Sequence, residues 1–209
     1  MARLAGGQRA TAARREEILD AALAVLAERG YAGASTREIA ARAHASKETL
    51  YAWFGDKRGL FTEVVRRNAA RLEAALTPHL NDNAGDPAIV LHAVAAELLR
   101  LLLGEPAVVI NRAAIAEAPT DPTLAQVLTA EGRSRIVPRL VCYLESQRAR
   151  GRLAFEDAAT AAETLIGLTI GDQQVRRLLG VLPVPTPTEI DARANRAVRA
   201  FLLLFSPSP

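Results

Sequence analysis

Cysteine is all but missing from this 209-residue chain: Cys142 stands alone, which excludes an intramolecular disulfide framework and a cysteine-built zinc site. Aromatic residues make up 4% of the sequence, whereas half of it is apolar, so aliphatic side chains must build the core and disorder is not the default. No run approaches the roughly 18 uncharged apolar residues of a membrane span, and the first residues lack the apolar core of a secretion signal. A soluble, cytoplasmic protein is expected. Phosphate-cradling glycine loops, metal-ligand clusters and nucleophile-base pairs are also missing, and His44, His79 and His92 are scattered. Catalytic residues, cofactors and metals are therefore not expected, and neither is an enzyme.

Lysine is the most informative scarcity. There are two, Lys47 and Lys57, and both fall within residues 35–57. Residues 1–67 hold 12 basic and 8 acidic side chains, against 14 and 15 in the remainder, so the net charge of +3 arises in the first third. That asymmetry points to a polyanion partner for this third alone, with chance imbalance as the alternative.

What is present is helical periodicity. Ile18, Ala22, Val25 and Leu26 share one face of a helix over residues 12–29, and Gly30 supplies its stop. Ser35 and Glu38 stand at the spacing of a capping box, with Ile39, Ala40 and Ala43 inward. His44 and Ala45 make a turn, Ser46 caps the next helix, and Leu50 and Phe54 lie on one of its faces. Two short helices joined so tightly, with a third opening at Asp56, read as a helix-turn-helix. A major groove about 12 Å wide admits one helix whose leading residues reach base edges. Ser46, Lys47 and Thr49 are the donors at that leading end, Tyr51 can reach a phosphate, and Trp53 fits either core or contact. The helix N-terminus beside Lys57 suits a phosphate, as does the start of the preceding helix at Thr36 and Arg37. Residues 1–11 are basic and aperiodic; Arg3, Arg9, Arg14 and Arg15 either reach a groove or are merely solvated.

Beyond the helix-turn-helix, a helix over residues 59–77 shows Leu60, Val64 and Leu72 on one side and Arg66, Arg67 and Arg71 on the other. Later helices are expected over 87–104, 106–119, 122–150 (kinked or split by Pro138), 156–179 and 187–205. The last opens on a Thr186–Glu189 capping box and carries the stripe Ile190, Ala194, Ala197, Phe201 and Phe205. The fold class is all-α with about nine helices. Gly167 and Gly171 permit close helix approach, between two copies of the chain or within one. Cys142 beside Tyr143 reads as packing, with a redox thiol as the alternative.

Residues 15–65 resemble the DNA-binding domain of the tetracycline-repressor (TetR) family of bacterial regulators. The matching pieces are EEILDAALAVLAERGY, STREIAARA, SKETLY and F-x-x-K before GLF, in order and at the family's spacing. The resemblance implies DNA contacts at Thr36, Arg37, Ser46, Lys47, Thr49, Tyr51, Trp53 and Lys57. His44 departs from the family's usual turn glycine, and Trp53 from its usual His or Tyr, and both bear on the operator sequence. The implied organisation is a basic arm (1–11), a helix-turn-helix domain (12–58) and a helical effector-binding and dimerisation domain (59–209). The implied partners are a near-palindromic double-stranded DNA operator, a second copy through the last two helices, and a small-molecule effector that releases DNA. His92, Asn111, Arg112, Asp172, Gln173 and Gln174, polar residues stranded in apolar helices, are the candidates for effector contact. A helical protein whose helix-turn-helix touches another protein is the remaining rival.

Overall fold

The computed structural model describes the backbone over residues 2–81 and 84–207, and side chains over 11–81, 84–132 and 134–207. Among the described residues it contains eleven α-helices, one π turn and no strand. Contacts group the chain into two compact units, residues up to 67 with 109–128, and residues 68–108 with those from 129 onward. These packing units cut the chain elsewhere than the functional division expected at residue 58, because residues 109–128 group with the first helices.

The first unit holds α1 (Ala2–Gly33), α2 (Thr36–Arg42), α3 (Lys47–Phe54), the opening turns of α4 (Lys57–Leu80), the later part of α6 (Glu105–Glu117) and α7 (Thr123–Leu128). Ile18, Ala22, Val25 and Leu26 are buried as their spacing requires, and Gly30 leaves the helical region at φ 65°, ψ 178°. The backbone is already helical at Ala2, where an aperiodic arm was expected; once a helix is nucleated, alanine and arginine extend it at little cost. The side chains of Arg3 and Arg9 lie outside the described residues. Arg14 and Arg15, by contrast, are engaged within the fold: Arg14 donates to the His44 carbonyl (2.5 Å), and Arg15 pairs with Glu63 (2.8 Å) above the Phe54 ring. Arg67, expected to face outward with Arg66, has a side chain only 8% exposed and pairs with Asp20 at 2.8 Å. Its long stem lets the guanidinium reach α1 across the core edge.

The second unit holds the rest of α4, α5 (Pro87–Leu102), the π turn (Thr129–Arg133), α8 (Ser134–Ala149), α9 (Ala158–Ile170), α10 (Gln173–Leu178) and α11 (Pro187–Phe205). Leu76, Leu91, Leu99, Leu140, Tyr143, Leu165 and Phe201 form its core; a fully buried Leu or Phe contributes about 1.5–3 kcal/mol. Asp86 caps α5 ahead of Pro87, and the capping box on α11 is complete: the Thr186 hydroxyl accepts from Glu189 N–H while Glu189 accepts from Thr186 N–H. Two helices expected to be single are split, which raises nine to eleven. Over residues 122–150 the break is the π turn, and Pro138 sits within α8 just beyond it. Over residues 156–179 the break is Gly171, at φ 51° and ψ −130°.

That glycine also answers the question of close approach. A Cβ on Gly171 would lie 2.6 Å from Arg193 Nη2, whereas one on Gly167 would meet nothing within 4 Å. Gly171 thus makes room within the chain and Gly167 does not. Cys142 is exposed while its neighbour Tyr143 is buried, so the thiol is not core packing.

Candidate nucleic-acid interface and ligand cavities

α3 is a short helix with a simple division of labour. Leu50 and Phe54 are buried, Trp53 is half-buried with its ring edge-on to Phe54, and Lys47, Glu48 and Tyr51 face solvent. Ser46 Oγ accepts from Thr49 N–H (3.0 Å) and lies 3.0 Å from Thr49 Oγ1, so the two hydroxyls expected to read bases also close the helix start. A hydroxyl has one donor and two acceptor positions, so capacity remains for a groove contact. His44 makes the turn into α3 with φ 51°, a region that His tolerates better than most residues. On α2, Ser35 Oγ accepts from Glu38 N–H (3.1 Å), but the Glu38 carboxylate approaches Arg29 instead (3.5 Å), so the expected capping box is half made. Thr36 is half-buried and Arg37 exposed at the start of the same helix.

Lys57 opens α4. Its ammonium lies 4.5 Å over the Tyr31 ring and 3.4 Å from the Ala32 carbonyl. Burial lowers its pKa, opposed by the charge of Glu117. Asp56 accepts from Gly59 N–H (2.7 Å) and so orders the α4 start. Tyr31 is half-buried and packs on Phe61 at 5.2 Å.

The six candidate effector contacts are divided between the two units. Asn111 and Arg112 lie on the part of α6 in the first unit, while His92, Asp172, Gln173 and Gln174 belong to the second. Within the second unit, His92 and Gln173 line different cavities. One, of about 330 Å³, brings His79 and His92 together with Glu97 and Asp191, so two histidines far apart in sequence share a site. His92 Nε2 is 3.0 Å from Asp191 Oδ1, yet forms no aligned hydrogen bond. The other, of about 200 Å³, is lined by Leu99, Leu103, Leu182 and Ile190 with Gln173, Arg193 and Arg196. Asp172 accepts from Gln173 Nε2 (3.2 Å) at the α10 start. Sequence reasoning passed over Arg193 and Arg196; their one signal is a pair three residues apart at the edge of the α11 apolar stripe.

Residues 18–64 match the profile of the bacterial regulatory proteins of the TetR family, and residues 89–207 that of the AefR-like transcriptional repressor C-terminal domain. The chain belongs to the TetR family. Members of this family are DNA-binding, ligand-responsive transcriptional regulators, generally dimeric, and not enzymes. A TetR-family regulator from Mesorhizobium loti is similar in structure, with TM-score 0.84 and 28% identity over 93% of this chain and 98% of that one. Another from Agrobacterium tumefaciens has TM-score 0.70 and 34% identity over 93% and 95%. The HTH-type transcriptional repressor SCO4008 of Streptomyces coelicolor is 38% identical over 44% of this chain; that match spans half of the repressor's length. Among the described residues no helix is long and apolar enough to cross a membrane, and no group of three or more potential ligands could hold a metal ion.

Proposed function

We propose that this TetR-family regulator is a cytoplasmic repressor that binds a near-palindromic operator as a homodimer and is released by a small-molecule effector. The observation that carries the DNA reading is α3 itself: two buried anchors hold a helix whose leading end offers Ser46, Lys47 and Thr49, with Tyr51 exposed beside them. In this reading Ser46, Lys47, Thr49 and Trp53 face bases, while Thr36, Arg37, Tyr51 and Lys57 meet phosphate. Residues 12–58 act as the DNA-binding domain and the remainder as the effector and dimerisation domain. Dimerisation through α9 and α11 is supported by Gly167, open to solvent, and by Leu203, 84% exposed near the end of α11. A structural relative, the flavonoid-responsive regulator FrrA, supports a small organic effector.

The test is fluorescence anisotropy with DNA from beside the protein's own gene, followed by selection from randomised sites. Lys47→Ala and Thr49→Ala are expected to change which sequences are selected. An unchanged preference in both variants counts against base reading, and absence of DNA binding at low salt sinks the reading as a whole.

A further inference from the structure

The smaller cavity of the second unit has a chemical polarity that the fold does not require. Its lining combines the apolar Leu99, Leu103, Leu182 and Ile190 with the cationic Arg193 and Arg196. Neither guanidinium has a bonded carboxylate. Arg193 donates from Nε to the Thr169 carbonyl (2.6 Å) and from Nη2 to the Ile170 carbonyl (2.9 Å), at the C-terminal end of α9. These bonds leave the Nη1 donors without a partner among the described residues, and Arg196, on the exposed side of α11, has none there either.

The nearby acids are bonded elsewhere, although they keep their charge. Glu189 lines the cavity, but its Oε2 accepts from the Thr186 N–H and hydroxyl, both at 2.8 Å. Asp172 is tied to Gln173 (3.2 Å) and lies 3.9 Å from Arg176. A side chain at residue 171 would place a Cβ 2.6 Å from Arg193 Nη2, so the end of the guanidinium would have to shift. Clamping of the α9 terminus accounts for Arg193 alone. It explains neither the second arginine, which repels the first, nor the cavity between them and the leucines.

We propose that this cavity binds a small monocarboxylic acid with an apolar or aromatic body, its carboxylate seated between Arg193 and Arg196. At about 200 Å³ it lies below the roughly 300–1,000 Å³ of sites for drug-sized ligands, so the acid is small. A carboxylate supplies acceptors for the free guanidinium donors and cancels the repulsion of the pair, and the body displaces water from the leucine wall. The inference rests on the reading of the chain as effector-responsive and names the class of effector.

The probes are cinnamate, hexanoate, their neutral amides and inorganic phosphate, measured by thermal shift and calorimetry on the full chain. At least one acid is expected to bind about tenfold or more tightly than its amide. Arg196→Gln should reduce that preference to about threefold or less without lowering the melting temperature of the ligand-free protein. Equal binding of acid and amide, binding of neither acid at millimolar concentration, or an undiminished preference in Arg196→Gln overturns the proposal. Phosphate binding as tightly as the acids also overturns it, because the apolar body is then not recognised. Operator binding is measured on the same preparations: intact DNA binding without acid binding defeats only the carboxylate inference, whereas loss of DNA binding defeats the functional reading beneath it.

Discussion

Lys57 at the start of α4 and Arg193 on α11 belong to different units, yet they are held alike. Most cations of this protein whose contacts are described face a carboxylate, as in the Arg15–Glu63, Arg42–Glu28, Arg139–Glu73 and Arg177–Glu105 pairs. Lys57 rests instead on a ring and a carbonyl, and Arg193 on two carbonyls at a helix end. Burial lowers the pKa of both, and each has one acid at a distance, Glu117 or Asp172. A cation that is partly desolvated and not neutralised gains from any anion that arrives, whereas an ion-paired one must first give up a partner. The difference between the two is geometric. Lys57 sits at a helix start, where the proposed ligand is a polymer's phosphate, and Arg193 borders a partly open cavity, where it is a small acid.

Four experiments would break or sharpen this likeness. The largest effect is expected from Phe54→Ala, which removes the anchor of α3 and the ring beneath Arg15: unfolding in denaturant should show a loss of about 3–5 kcal/mol, with DNA binding lost together with it. Next comes Gly171→Ala. Its φ of 51° with ψ −130° suits glycine, so the substitution should cost about 1–3 kcal/mol and weaken acid binding by displacing Arg193, leaving the salt dependence of DNA binding unchanged. If acid binding is unaffected in a folded variant, Arg193 does not need its seat.

Lys57→Ala should weaken binding to every DNA sequence and lower the salt slope by about one. The same group predicts a pH dependence. In the proposed complex a DNA phosphate favours the ammonium and so raises the Lys57 pKa above that of the free protein. Its contribution to affinity is then complete below the free value and is lost as pH rises through it, at a pH below the ordinary lysine range. Lys57→Arg should remove that loss, and identical profiles for the two proteins would separate Lys57 from phosphate binding.

The smallest effect concerns Asp157, which caps α9 on the Arg193 side of the comparison. Hydrogen bonds from the Thr160 hydroxyl and N–H hold its carboxyl below its usual range. A lowered folded pKa means stability complete above the unfolded value and lost as pH falls through the folded one. Asp157→Asn should therefore flatten the acid limb of a melting-temperature profile without altering its neutral plateau.

The helix-turn-helix could be read from the sequence because its determinants are local. The Ser46 cap, the Leu50 and Phe54 spacing and the Gly30 stop lie within a turn or two of what they control, as do Thr186 and Glu189 at α11. Arg67 could not be read in this way: it shares a helix face with Arg66 in periodicity, and only the fold carries it to Asp20, 47 residues earlier. Grouping of residues 109–128 with the first helices is likewise a product of packing. The cavity shows the same limit. Arg193 and Arg196 look like a solvated edge until the chain between α10 and α11 brings Leu182 to their side.

The exposed Cys142 has a practical consequence. The chain carries one thiol, on α8, followed in sequence by the buried Tyr143 and Leu144, so a maleimide dye or spin label attaches once per chain with no engineered cysteine. In a two-copy assembly this provides one matched pair of reporters, and a distance read between them in the presence of operator or acid follows rearrangement in the unmutated sequence.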